Sequence, residues 1–187
     1  MKKNFWMPGL LPVALLLVSV VSLGGCKSYG PPPETVPFVE LERYAGLWHE
    51  IASNPVFFNR DLVGVTAEYT LREDGRVGVL NRGFKGSLDG PEDSITGKAR
   101  VVDTATNSKL AVRFDPFFAS IFEGSYWIVA LDTENYQYAA VTDKKQMTLF
   151  ILSRTPSMDT DLYNRILAEL AAKQVDISRL RVTGALN

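Results

Sequence analysis

Apolar and polar residues alternate along most of the chain between residues 44 and 153. Successive side chains of a β-strand point to opposite faces, so each alternating run predicts a strand with one apolar face. Breaks such as Glu73-Asp74-Gly75 separate the runs and suit tight turns. Eight strands at near-regular spacing are typical of a β-sandwich or a β-barrel. The strands are predicted over residues 44–53, 63–72, 77–81, 95–101, 110–115, 126–131, 138–142 and 147–153.

The apolar period changes after the last of these strands. Between residues 162 and 170, apolar residues recur every three to four positions, which is typical of one face of an α-helix. Asp159 or Thr160 is expected to cap this helix at its N-terminus. Residues 178–183 are predicted to form a short final strand. The predicted fold class is therefore all-β with one C-terminal helix.

The first residues of the chain have the features of a targeting segment. Two lysines follow the first Met, and residues 10–23 are nearly all apolar but too few for a membrane-spanning helix. The segment ends in Leu23-Gly24-Gly25-Cys26, which resembles the lipobox of bacterial lipoprotein signals. The resemblance implies a signal peptide over residues 1–25 and a lipid anchor on Cys26. An ordinary secretory peptide with an incidental cysteine is the alternative.

Residues 26–37 are predicted to form the lipidated cysteine and a tether. Lys27 stands where lipoproteins retained in the inner membrane carry Asp, so the resemblance implies the outer membrane. The run Pro31-Pro32-Pro33 favours an extended chain, and residues 28–37 would span ~30 Å at ~3.1 Å per residue. Two or more acyl chains hold a protein stably on a membrane. We therefore expect a domain held off the bilayer by a lipid anchor.

Composition and charge exclude several classes of function. The 20 basic and 21 acidic residues give a net charge of −1 and are spread along the chain. A nucleic-acid partner would need a basic stripe, so none is expected. With one Cys and one His, the chain forms no internal disulfide and lacks the four ligands of a structural zinc site. We therefore expect no metal and no cofactor.

A Gly and a Trp two positions apart lie at the start of the first alternating run, within residues 44–52. Together with residues after strands six and eight, this stretch resembles the lipocalin family, especially its bacterial and apolipoprotein D-like branch. The resemblance covers about residues 38–182. It implies an eight-stranded antiparallel up-and-down β-barrel, with a C-terminal helix, over residues 38–187. The motif residues that carry it are Gly46, Trp48, Asp132, Tyr136 and Arg154.

These motif residues are expected to meet at one end of the barrel. In an up-and-down barrel every even-numbered strand finishes at the end where strand one begins. Trp48 begins strand one, the Asp132–Tyr136 turn follows strand six, and Arg154 follows strand eight. We expect Arg154 to lie across the Trp48 ring, a cation–π contact of ~0.5–2 kcal/mol. The resemblance implies that the whole set closes the barrel.

The loops after strands one and five are expected at the opposite end. They carry large apolar residues, namely Phe57, Phe58, Phe117, Phe118, Ile121 and Phe122. Large exposed apolar patches usually mark an interface. An apolar rim would suit a ligand with a hydrocarbon tail. The alternatives are that these side chains fold back onto the barrel wall or form a homodimer contact.

Alternation also predicts which side chains line the barrel. With Trp48 inward, the inward set is mainly apolar with a few hydroxyls and one amide, which suits a long tail and a modest polar head. The resemblance implies a fatty acid or lysophospholipid ligand, bound, stored or transported in the envelope. Its implied contact residues are Phe58, Tyr69, Asn81, Phe114, Tyr126 and Phe150.

Two other classes of function compete with lipid binding. A lipid-modifying enzyme of this family would use a Cys inside the barrel, and a Ser/His/Asp triad would need His49, which the alternation places outside. Glu50 is predicted inward, where an Arg partner near the closed end is more plausible than acid–base chemistry. We therefore expect no enzyme activity and no catalytic residue. The remaining alternative is a structural envelope lipoprotein with a filled barrel, against which the small inward residues Gly97, Ala99 and Ala67 argue.

Overall fold

The computed structural model describes residues 31–55, 59, 61–115 and 123–187. Eight long strands follow a short helix, α1 (Leu41–Tyr44). They are β1 (Gly46–Ser53), β2 (Leu62–Leu71), β3 (Val77–Lys85), β4 (Glu92–Val101), β5 (Lys109–Phe114), β6 (Gly124–Leu131), β7 (Tyr138–Thr142) and β8 (Leu149–Ser153). The C-terminal part contains β9 (Ser157–Met158), α2 (Thr160–Ala172), β10 (Arg181–Val182) and β11 (Ala185–Leu186).

The eight long strands form one closed antiparallel barrel. Each strand pairs with the next along the chain, and β8 returns to pair with β1. Closure leaves no free sheet edge among these strands, which removes a common route to aggregation. β10 adds to the second half of β1, and β9 and β11 form a separate parallel pair. The predicted all-β, eight-stranded up-and-down barrel is confirmed.

Helix α2 packs on the outside of the barrel. Asp159 caps it by accepting a hydrogen bond from the main-chain N–H of Leu162 at 2.8 Å. Its apolar face buries Ile166 and Leu170 against the outer sides of β1, β6, β7 and β8. In the described part of the chain no helix has both the length and the apolar character needed to cross a membrane.

Two β-bulges fit the barrel wall to this helix. The pairing of β1 with β8 shifts between Glu50 and Ala52, so that Ile51 and Ala52 both face outward under α2. Ser53 then returns to the inside, opposite Phe150. Strict alternation along β1 from the inward Trp48 predicts that Ala52 faces inward and Ser53 outward; the bulge after Glu50 reverses both, so this prediction is wrong. The pairing of β6 with β7 contains a similar register shift between Ile128 and Ala130.

The segment before β1 is bound to the barrel along its length. The Gln146 side chain donates to the carbonyl of Pro31 at 3.4 Å, and Val36 N–H donates to the carbonyl of Ile128 at 2.9 Å. Val36 and Val39 are buried in the inner core. The predicted extended tether is therefore attached from Pro31 onward. The first strand begins at Gly46 rather than at residue 44 because the preceding residues form α1.

Candidate ligand site inside the barrel

One end of the barrel, here called the closed end, is sealed by Arg154 and Trp48. The guanidinium carbon of Arg154 lies 3.8 Å from the centroid of the Trp48 ring, and Trp48 is completely buried. Nη1 and Nη2 of Arg154 donate to the carbonyls of Leu47 and Ala45, each at 2.9 Å. Gly46 has φ +95°, and a Cβ there would lie 3.3 Å from Arg154 Nη1. Glycine at this position therefore provides both the backbone conformation and the space for the guanidinium.

The turn after β6 joins the same closed end. Oδ1 of Asp132 accepts main-chain hydrogen bonds from Glu134 at 3.2 Å and Asn135 at 3.1 Å, which shapes the turn. The Tyr136 hydroxyl accepts the Glu40 N–H at 2.9 Å, and its ring lies 4.2 Å from the guanidinium carbon of Arg43. The five predicted closing residues therefore come together, and Tyr136 additionally holds the segment around α1.

Three tyrosines meet above the Trp48 ring. The hydroxyls of Tyr44 and Tyr126 are 2.7 Å apart, and Tyr126 donates to the Tyr69 hydroxyl at 2.9 Å. Burial raises the pKa of Tyr69 to about 12 and raises the pKa values of Tyr44 and Tyr126 well above their ordinary range. All three hydroxyls are therefore neutral at physiological pH. Sequence reasoning missed Tyr44, because it was assigned to a strand rather than to a helix that turns its ring into the barrel.

The half of the barrel next to the closed end is packed. Val77 and Val79 are buried there, together with Tyr44 and Leu131. The cavity between the tyrosines and β2 to β5 has a volume of about 20 Å³. One water molecule needs roughly 10–15 Å³ on this measure, so the cavity is too small for an acyl chain. The packed half therefore has no room for a ligand of that size.

The end of the barrel opposite the closed end is here called the mouth. The half of the barrel next to the mouth is lined by partly exposed side chains. Phe114, Phe150 and Ala67 face inward there but remain only partly buried, whereas the partly buried Tyr126 turns its hydroxyl toward Tyr44 and Tyr69. Gly97 faces Phe114 across the β4–β5 pair, and a Cβ at Gly97 would lie 2.9 Å from Cδ1 of that ring. The glycine thus leaves the space that the Phe114 ring occupies. Apolar inward side chains with residual exposure are expected in a site open to a ligand.

Asn81 contributes a polar atom without a partner to this lining. Its position on β3, in register with Ala67 and Ile95, places it two residues further from the closed end than Val79. The Asn81 Oδ1 atom is buried and accepts no hydrogen bond. An unsatisfied buried acceptor costs about 1–3 kcal/mol, so a donor from a ligand or a water would stabilise it.

Glu50 places a carboxylate inside the barrel beside β10. Its Oε1 accepts hydrogen bonds from the hydroxyls of Ser53 at 2.7 Å and Thr183 at 2.8 Å. Burial raises the pKa of Glu50, and the two hydroxyl donors oppose that rise. The inward direction was predicted correctly, but the expected Arg partner was wrong. The bulge after Glu50 brings Ser53 to the same face as Glu50. The alternation of apolar and polar residues in the sequence does not indicate this bulge.

Several predicted residues lie outside the described residues. They are Cys26 and Phe58, together with the other apolar residues of the loops after strands one and five. The ligand, membrane or homodimer contacts expected of them stay predictions. Among the residues that the structure describes, no group of three or more His, Cys, Asp or Glu side chains is arranged to hold a metal ion.

The architecture defines a class of protein, namely a closed antiparallel barrel that binds small apolar ligands within it. A family model for the lipocalin-like domain matches residues 39–185, nearly the whole described barrel and its C-terminal extension. The chain belongs to the lipocalin family.

Two relatives and one solved structure illustrate the similarity. The outer membrane lipoprotein Blc of Vibrio cholerae is 37% identical over 169 residues, covering 90% of this chain and 95% of the relative. Apolipoprotein D of Bos taurus is 28% identical over 190 residues, covering 95% and 97% of the two chains. The structure of insecticyanin from the tobacco hornworm Manduca sexta aligns with a TM-score of 0.63 at 19% identity, covering 82% of this chain and 84% of that one.

Proposed function

We propose that this protein is a lipid-binding outer-membrane lipoprotein. Cys26 carries the acyl anchor, and the mouth half of the barrel holds a fatty acid or a lysophospholipid. The anchor and the location are supported by the lipobox-like run Leu23-Gly24-Gly25-Cys26 and by the similarity to a protein named outer membrane lipoprotein. Storage or transport of such a lipid would serve envelope maintenance.

The observation that carries lipid binding is the contrast between the two halves of the barrel. The half near Trp48 is filled, whereas Phe114 and Phe150 keep residual exposure inside the other half. A hydrocarbon tail would cover these rings and gain roughly 25 cal/mol for each Å² of apolar surface that leaves water. Asn81 Oδ1 is an acceptor suited to a hydroxyl of the ligand's head. A fatty acid in its neutral form or a lysophospholipid glycerol offers such a donor.

A structural lipoprotein with a filled barrel is the second candidate, favoured by the packing of the closed end. An enzymatic role has weaker support, since His49 lies on the outer face of β1, opposite Ser153 and away from the lining. The Glu50 carboxyl accepts hydrogen bonds from two hydroxyls and, within the described residues, from no titratable side chain. We propose binding without catalysis.

Native mass spectrometry of the freshly purified, acylated protein, followed by lipid extraction, tests this function. We expect one co-purified lipid per chain and its replacement by an added fluorescent fatty acid or lysophospholipid. Binding should persist in a metal chelator. A barrel that carries no lipid and takes up neither probe would support the filled, structural alternative instead. Loss of acyl labelling in Cys26→Ser, with labelling present in the parent, tests the anchor separately.

A further inference from the structure

We infer that the barrel selects a single-tailed amphiphile with an ammonium head, which binds at the Glu50 carboxyl while the tail runs past Phe150 toward the mouth. This inference rests on the proposed lipid-binding function and names the class of ligand within it. An amphiphile with the same tail and a carboxylate head is the class that the site disfavours.

The Glu50 carboxyl lies where the packed half of the barrel ends. Glu50 faces inward in register with Leu152 of the inner core, at the next inward position after Trp48. The bulge that follows brings Ser53 to the same face, opposite the partly exposed Phe150. Because the carboxyl is hydrogen-bonded to the Ser53 hydroxyl, it forms part of the floor of the mouth half.

This carboxyl keeps an oxygen for a ligand. Its Oε1 accepts from the hydroxyls of Ser53 and Thr183, whereas Oε2 has no hydrogen-bond partner among the described residues and is not fully enclosed. Burial raises the pKa of Glu50, and no charged side chain of the described chain contributes to that pKa, although Arg181 lies opposite Ser53 in the β1–β10 pairing. A desolvated carboxylate without a counter-ion is costly, so a bound cation would stabilise it.

A carboxylate head finds no such partner in the mouth half. Arg154 lies against the Trp48 ring at the closed end and donates to main-chain carbonyls between residues 43 and 47. Lys85 at the mouth is paired with Asp93 at 3.1 Å. Within the described inner wall, an anionic head would therefore meet the Glu50 carboxyl and no free cation, and it would have to bind in its protonated form.

The charges around the mouth act in the same direction. Ion pairs occupy Asp93 and Glu123, through Lys85 and Arg100. In the described part of the chain, the other exposed charged side chains at the mouth are four carboxylates and two ammonium groups, namely Asp61, Asp89, Glu92 and Asp115 with Lys144 and Lys145. An excess of carboxylates around an opening raises the local concentration of cations and lowers that of anions.

Asn81 supplies a second polar group beside this floor. Trp48, Ala67 and Asn81 lie in register across β1, β2 and β3, so the small Ala67 side chain separates Asn81 from the wall that carries Glu50. The Asn81 Oδ1 atom is buried without a partner. An ammonium group has three donors and can serve more than one acceptor, whereas a carboxylate has none.

Amphiphiles with equal tails and different heads test the inference on the full, acylated protein. Dodecylamine, dodecanol and dodecanoate are titrated separately near neutral pH, and native mass spectrometry measures the occupancy of each. Because a hydrogen bond to a charged group is stronger than one between neutral groups, we expect half-occupancy by dodecylamine at a concentration roughly tenfold to 100-fold lower than by dodecanoate, with dodecanol between them. Dodecanoate that binds as tightly as dodecylamine, or more tightly, would overturn this inference alone. A barrel that takes up none of the three would contradict the proposed function itself.

Two variants assign the preference to Glu50. Glu50→Gln keeps the shape of the side chain and removes its charge, so the advantage of dodecylamine over dodecanoate should fall to about threefold or less while dodecanol binding is kept. Glu92→Gln removes an exposed carboxylate at the mouth and should keep the advantage. An unchanged preference for dodecylamine in Glu50→Gln would overturn the assignment.

Dodecanol reports whether the cavity of each variant is intact. If Glu50→Gln loses dodecanol as well, the double variant Ser53→Ala with Thr183→Val decides, because it keeps the carboxylate and removes its two hydroxyl donors. It should keep or strengthen the preference for dodecylamine. Loss of that preference with dodecanol still bound would refute the pairing of the head with Glu50.

Discussion

Arg154 and Trp48 lie 106 positions apart in the sequence, yet the guanidinium carbon of one is 3.8 Å from the ring centroid of the other. The same guanidinium donates to three successive carbonyls before Trp48, those of Tyr44, Ala45 and, at 2.6 Å, Arg43. Arg154 thus ties the end of β8 to the start of β1 through both the ring and the backbone. The closing motif is a set of hydrogen bonds to α1 as much as a cation–π contact.

Replacement of Arg154 should weaken the closed end without emptying the site. Arg154→Ala leaves several carbonyls without a donor and removes the cation–π contact, so we expect the free energy of unfolding to fall by about 2–4 kcal/mol. Arg154→Lys keeps the charge but cannot bridge these carbonyls. Its free energy of unfolding should therefore lie between those of the parent and of Arg154→Ala. Denaturant melts measure the loss, and lipid titration should show partly retained binding. Unchanged stability of Arg154→Ala would contradict the closing role.

The buried carboxyl of Glu50 should make stability depend on pH. Because burial raises its pKa, the folded state holds the proton more tightly than the unfolded state does. The stabilising contribution is therefore complete below the ordinary pKa of 4.5 and is lost as the pH rises through the raised value. Glu50→Gln keeps an acceptor for Ser53 and Thr183, and should melt a few degrees higher than the parent at neutral pH but not below pH 4.5.

The matched control for Glu50→Gln is Glu92→Gln, which neutralises an exposed carboxylate on β4. Thermal melts from about pH 4, near the ordinary carboxyl pKa, to about pH 8 should differ from the parent only for the Glu50 variant. A Glu50→Gln protein that is less stable at neutral pH would show that the charged form is the one the fold prefers.

The alternation of apolar and polar residues predicted most of the barrel's inward side chains. It failed where a bulge or a short helix interrupts the alternation. Tyr69, Phe114 and Phe150 were placed inside correctly, because an unbroken strand has only two faces. The outward orientation predicted for Ser53 was wrong because of the β1 bulge. The bulge adapts the barrel wall to the packing of α2, and the local sequence does not indicate it. Tyr44 was missed because a helix of four residues has too few positions to show a period.

The attachment of residues 31–40 to the wall was equally invisible in the sequence. The prolines predict an extended chain, but extension says nothing about what the chain contacts. The pairing of β5 with β6 begins at Lys109 opposite Trp127, so the Ile128 carbonyl lies beyond it and accepts the Val36 N–H. A main-chain carbonyl left unpaired by neighbouring strands can be identified only after the strands are assembled, not from the sequence.

Asn81 should distinguish ligand affinity from stability. Asn81→Leu removes the buried, unpartnered Oδ1 and keeps a similar volume, so the ligand-free protein should be as stable as the parent or more stable. If that oxygen accepts a hydrogen bond from the ligand's head, affinity for a lysophospholipid should fall roughly threefold to tenfold. Arg82→Leu, on the outer face of the same strand, is the control and should leave affinity unchanged. Unchanged affinity in Asn81→Leu would remove Asn81 from the site.

The last prediction tests whether the mouth half of the barrel is open, using two positions on β8. Phe150 and Leu152 both face inward, but Phe150 is partly exposed whereas Leu152, one step nearer the closed end, is only 4% exposed. A charge introduced where water has access costs little, whereas an unpaired charge in a packed core is strongly destabilising. Phe150→Lys should therefore fold with a modest loss of stability and bind lipid poorly, because the charge occupies the path of the tail. Leu152→Lys should lose at least ~3 kcal/mol and yield little folded protein.

Thermal melts and titration with one fluorescent fatty acid, run side by side on both variants, decide between an open and a filled barrel. The two lysines differ by a single inward step along one strand, so a difference in their stabilities reports the space around each side chain rather than the strand they share. If Phe150→Lys collapses as Leu152→Lys does, the barrel is packed up to Phe150 and a lipid site at that depth is excluded. If both variants fold, the packing around Leu152 accommodates a charged side chain more readily than the burial of Leu152 indicates. Only a tolerated Phe150→Lys with lost lipid binding, beside a collapsed Leu152→Lys, matches a barrel that is filled at Trp48 and open at its mouth.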